Sequence, residues 1–125
     1  MNSKQALTVT IDAKRNVLRM HYCGDVTAAA MAVAEKEIER LLPQLRTGFA
    51  VLTDLSDLDS MQLECAQYIT KGMDLYKANG VRLVVRIIPN PAKDIGLNIL
   101  SLTHYRGKVP TVTCETLAEA EKALR

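Results

Sequence analysis

The sequence predicts an α/β protein: a mixed sheet of about five strands, in the order β-β-α-β-α-β-α-β-α, with helices packed against it as one domain over residues 1–125. Three observations carry this expectation. Hydrophobicity alternates with a period of two along the N-terminal stretch. It then recurs with a helical period in later stretches. Between those stretches lie short, continuously apolar runs, "FAVLT" and "VRLVVRIIP", of the kind that a strand buried on both faces requires.

Leu7, Val9 and Ile11 alternate with Thr8 and Thr10, so the first strand is half-buried. "DAKRN" is a polar turn. Leu18, Met20 and Tyr22 then alternate with Arg19 and His21, which makes an antiparallel hairpin that ends at Gly24-Asp25. From Thr27 to Leu45 the period becomes helical. Met31, Ala34, Ile38, Leu41, Leu42 and Leu45 share one face, and Glu35, Lys36, Glu39 and Arg40 the other. Asp25 or Thr27 is placed to cap the start, Pro43 to kink or end the last turn, and Gly48 to close the element.

Phe49 to Thr53 is the first buried strand. Asp54 to Ser60, rich in acid and hydroxyl, reads as the corner from that strand into a second helix over Met61 to Ala78. Cys65, Ile69, Met73 and Tyr76 form the apolar stripe of that helix. Asn79-Gly80 stops it, because both residues tolerate the left-handed conformation. Val81 to Ile88 follows as the next buried strand, and Pro89 ends its pairing. Asn90-Pro91 opens a third helix, with Ile95, Ile99 and Leu102 on its face and Gly107 as its stop. "VPTVTC" is a short strand, at an edge because of Pro110. Thr116 and Glu119 have the spacing of a capping box that opens a last helix through Leu124. The β-α-β units should be parallel with right-handed crossovers, which puts Phe49–Thr53 and Val81–Ile88 in the middle of the sheet.

Composition narrows the function classes. With 16 basic and 14 acidic residues and a net charge of +2, the chain is too balanced to suggest nucleic acid or an anionic membrane as partner. No apolar run reaches the roughly 18 residues of a membrane span. "MNSKQALTVTID" lacks the apolar region of a signal peptide. Cys23, Cys65 and Cys114 are odd in number and widely spaced, with no C-x-x-C. They read as free thiols in a reducing cytoplasm rather than as a disulfide framework or a zinc site.

The opening hairpin, the strand and corner "FAVLTDLSDLDS", the passage "ANGVRLVV" and the close "TVTCETLAEAEKAL" together resemble a STAS domain (sulfate transporter and anti-sigma factor antagonist) over nearly the whole chain. The resemblance implies that fold, a non-catalytic cytoplasmic regulator, a protein partner such as a kinase or anti-sigma factor, and no cofactor. In bacterial anti-sigma factor antagonists the loop before the second helix resembles Asp-Ser-Ser-Gly. A serine there is phosphorylated by a partner kinase, which binds the unphosphorylated form. Here the corner reads Asp59-Ser60-Met61-Gln62: the first half matches, while the second serine and the glycine are replaced. The resemblance therefore makes Ser60 the phosphorylation candidate, and Ser56, Asp57, Asp59, Ser60 and Met61 the partner-docking candidates, in a divergent member.

Read without the family, the same corner has a simpler use. Asp59 or Ser60 can cap the second helix, with Gln62 reaching back, and acid at a helix start suits the macrodipole. A phosphate on Ser60 would gain from helix amides but be repelled by Asp57 and Asp59. The aspartates lack the glycine-bearing pattern of a calcium loop. His21 and His104, the two imidazoles, read as solvated or capping, and no nucleophile–histidine pairing follows from the sequence. Arg82 and Arg86 share one face of a strand. They would emerge at the sheet edge, or form a basic pocket or ion pairs with acids such as Asp54. A small apolar-ligand or lipid carrier is the alternative function, suggested by the five methionines and low aromatic content.

Overall fold

The computed structural model describes residues 6–88 and 110–125. The third helix expected from Asn90, with His104 and Pro89, lies outside the described residues. The elements are β1 (Leu7–Asp12), β2 (Val17–Val26), α1 (Ala28–Leu41), a 3-10 turn (Leu42–Gln44), β3 (Ala50–Met61), α2 (Cys65–Ala78), β4 (Leu83–Ile87), β5 (Thr111–Cys114) and α3 (Leu117–Ala123). They form a mixed five-stranded sheet in which spatial order equals chain order, β1-β2-β3-β4-β5. β1 runs antiparallel to β2, and every later pairing is parallel. As the apolar runs require, β3 and β4 are interior, and β5 is the edge that Pro110 announces.

Strand periodicity sorts side chains onto two faces. On the first, Leu18, Met20, Tyr22, Val51, Leu55, Leu58 and Val84 pack under α1 (Met31, Ala34, Ile38, Leu41) and α2 (Cys65, Met73, Tyr76). On the second, Val17, Ala50, Leu52, Val85, Ile87 and Cys114 meet Ala120 and Leu124, on α3 and just beyond it. A strand buried on both faces needs apolar residues at nearly every position, which is why "FAVLT" and "LVVRI" do not alternate; Arg86 is the buried exception. Pro43 cannot donate to an α-helical ladder, and α1 gives way there to the 3-10 turn.

The helix expected through Leu45 ends at Leu41, the strand expected over Val81–Ile88 spans Leu83–Ile87, and the boundaries around the candidate site differ as well. β2 does not stop at Gly24-Asp25 but continues to Val26. β3 does not turn at Asp54 but runs to Met61, so α2 begins at Cys65 rather than Met61. The two extensions pair with each other in parallel, with register shifts between His21 and Cys23 and between Gly24 and Asp25. Each shift places one extra residue on β3, a β-bulge. The first lets Leu55 and Leu58, an odd number of residues apart, face the same core. The second leaves Asp59 as the extra residue.

Candidate functional site

The bulged end of β3 brings the docking candidates together at the carboxyl end of the parallel strands. Asp57, Asp59 and Ser60 are exposed, and Ser56 and Met61 half-buried. None of them caps α2, which overturns the capping assignment. The N-cap of α2 is Glu64, with no side-chain hydrogen bond to the helix. The polar groups look across to the other strand and to α1. Ser60 Oγ donates to Asp25 Oδ1 at 2.6 Å, and the Ala28 amide, in the first turn of α1, donates to Gln62 Oε1 at 2.9 Å. Thr27, not Asp25, is the N-cap of α1, accepting from the Ala30 amide at 3.1 Å. A strand end and a helix start are thereby stitched into one surface.

Further back along β3, Asp54 Oδ1 accepts from both the amide and the hydroxyl of Ser56. Asp57 Oδ2 lies 2.7 Å from His21 Nε2. This partner for His21, expected to be solvated, was hidden from the sequence. The pairing depends on the first bulge, which turns Asp57 to the side of the sheet that His21 faces. Leu63, at the tip between β3 and α2, is 86% exposed and carries no core duty.

The arginines part company. Arg82 is exposed and donates to the Leu124 carbonyl at 3.1 Å. Arg86 is 4% exposed, so the pair does not emerge together at the edge; its Nη2 donates to Thr113 Oγ1 on β5 at 2.8 Å. Arg86 is not placed to pair with Asp54, because its register partner on β3 is Thr53 and Asp54 faces the other side.

Arg86 instead lies beneath an apolar cleft of about 60 Å³ between the sheet, α1 and α2, lined also by Met20, Tyr22, Met73 and Tyr76. The Tyr76 hydroxyl donates to Met20 Sδ there at 2.9 Å. A dry cavity of about 150 Å³ takes up benzene, and this cleft is well under half that size, which does not favour a lipid or other apolar cargo.

The cysteines are free thiols, with Cys65 and Cys114 buried and Cys23 half-buried. Burial pushes both the Cys65 and the Cys114 thiol up. Among the described residues no group of three or more His, Cys, Asp or Glu is arranged to hold a metal ion. No described helix is long and apolar enough to cross a membrane.

Comparison with solved structures places this geometry in a known fold. The anti-sigma factor antagonist SpoIIAA in its unphosphorylated form superposes with a TM-score of 0.68 at 14% identity, covering 96% of this chain and 98% of that one. An uncharacterized DUF3478-family protein with a SpoIIAA-like fold from Shewanella loihica gives 0.71 at 16% identity, covering 100% and 99%. An anti-sigma factor antagonist from Mycobacterium paratuberculosis gives 0.63 at 17% identity, over 100% and 99%. No family model matches the sequence, and no curated protein is significantly similar to it. At these identities the likeness is one of fold: the chain has a divergent STAS-like, SpoIIAA-type fold.

Proposed function

We propose that this STAS-like chain is a non-catalytic regulatory module that docks a protein partner, of the kinase or anti-sigma factor kind, in the cytoplasm. The contact surface is the bulged end of β3, namely Ser56, Asp57, Asp59, Ser60 and Met61, continued onto the exposed side of α2. The observation that supports this reading is the end-to-end likeness to anti-sigma factor antagonists, one of them, SpoIIAA, known in unphosphorylated and phosphorylated forms. Leu63, exposed beside this surface, offers it an apolar anchor.

Ser60 is the phosphorylation candidate, but its surroundings argue for docking without that switch. Its hydroxyl already donates to Asp25. A phosphate there would set two negative charges against the Asp25 and Asp59 carboxylates. The test is binding of the purified chain to a kinase or anti-sigma factor encoded beside its gene, followed by calorimetry. Leu63→Asp combined with Met61→Asp should abolish binding, while Ser60→Ala should leave it within about threefold, since an exposed hydrogen bond contributes little. Stoichiometric transfer of phosphate to Ser60 by that kinase would replace constitutive docking with a switch. Failure of every such partner to bind would overturn the reading.

A further inference from the structure

The second face of the sheet holds a polar recess that neither the core nor the end of β3 uses. The register of β1, β2 and β3 sets six side chains there in two rows: Thr10, Arg19 and Leu52, then Thr8, His21 and Asp54. With Leu117 at the start of α3 they line a recess of about 160 Å³.

Its charges are arranged unusually. Arg19 and Asp54 stand at opposite corners of the grid. Strand spacing and rise put their Cα atoms about 8 Å apart. They do not bond to each other. Arg19 gives one Nη2 hydrogen to Glu121 Oε1 at a long 3.3 Å, and Asp54 spends Oδ1 on Ser56. The remaining guanidinium hydrogens, Asp54 Oδ2 and the hydroxyls of Thr8 and Thr10 have no hydrogen-bond partner among the described residues. His21, in the same row as Asp54, is held through Nε2 by Asp57. A simple anion drawn to Arg19 would meet Asp54, and a simple cation drawn to Asp54 would meet Arg19. A ligand carrying both charges on neighbouring atoms satisfies both with charge-assisted hydrogen bonds.

We propose that this recess binds a small zwitterion, an α-amino acid with a short aliphatic side chain. Its carboxylate is taken by Arg19 and the hydroxyls of Thr8 and Thr10, its ammonium by Asp54, and its side chain rests on Leu52 and Leu117. The site adjoins the partner surface at the end of β3, since Ser56 and Asp57 of that surface bond to Asp54 and His21, but its proposed ligand touches none of the partner-surface residues.

Titration of the intact chain with L-alanine, followed through backbone amide resonances, tests this, with acetate and methylammonium as single-charge probes. The expected result is saturable shifts at Thr8, Thr10, Arg19, His21 and Asp54, and binding of either single-charge probe at least about tenfold weaker. Arg19→Met and Asp54→Asn should each weaken alanine binding by about tenfold or more. Thr10→Val, which keeps shape at an exposed position, should weaken it severalfold and guards against a misfolded charge variant. The proposal is overturned if alanine produces no saturable shift, if the shifts fall elsewhere, or if acetate binds as well as alanine.

Discussion

Ser60 and Gln62 show how a residue can be read correctly for type and wrongly for partner. Hydroxyl and amide side chains before a helix suggest a cap, and they do serve polar groups at a helix entrance, but the helix is α1 and not the one that follows in sequence. No local pattern encodes that, because the partners lie 34 and 35 residues away. The consequence is measurable by urea denaturation. Thr27→Ala should cost about 1 kcal/mol, the ordinary value of an N-cap. Asp59→Ala and Ser60→Ala should each stay below about 1 kcal/mol, since no cap is lost and the Ser60 bond is exposed. A loss near 2 kcal/mol at Asp59 would restore the cap assignment. Thiol chemistry gives a second check at this scale. Half-buried Cys23 should alkylate with iodoacetamide well before Cys65 and Cys114, whose thiols are buried and pushed up. Mass mapping of the first labelled site decides it.

Most elements were legible because local chemistry and tertiary environment agree. The Thr116–Glu119 capping box is an example: the Glu119 amide donates to Thr116 Oγ1 at 3.2 Å, and α3 starts there. The exception is the second half of β3. Asp and Ser are poor strand formers, and two bulges break the period of two on which strand recognition rests. Leu55 and Leu58 are three residues apart, a spacing that does not read as a strand; the first bulge turns both to one core, and the stretch read as a corner is strand, so the start of α2 was misplaced with it. Turn chemistry was more transparent. Gly80 has φ +84°, and a Cβ there would lie 2.7 Å from Thr47 Cγ2. Gly80→Ala should therefore cost about 1–2 kcal/mol from the backbone conformation. Adding Thr47→Ser removes the contact but should recover only part of that loss in a denaturant melt. Full recovery would mean that the contact, not the backbone, governs.

At the scale of the molecule, α3 is joined to the opening hairpin by ion pairs. Arg15 Nη1 lies 2.8 Å from Glu121 Oε2, and Arg19 Nη2 lies 3.3 Å from Oε1. The Arg15 guanidinium, helped by Arg19, holds the Glu121 carboxyl below its ordinary value. A carboxyl depressed in the folded state stabilises fully above its unfolded pKa and loses that contribution as pH falls through the folded one. Glu121→Gln should thus lower the urea midpoint at neutral pH and flatten its decline on acidification. An unchanged acid limb would show that the pair carries no linkage. The same contact bears on how the chain is made. Since strand order follows chain order, each described strand leaving the ribosome can add to the free edge of the one before it, with none of the described strands held back for a later insertion. Glu121 must emerge before α3 can latch onto the β1–β2 hairpin through Arg15. A nascent chain stalled short of Glu121 would hold a growing sheet with an unlatched hairpin, and emergence of α3 would close that contact in one step.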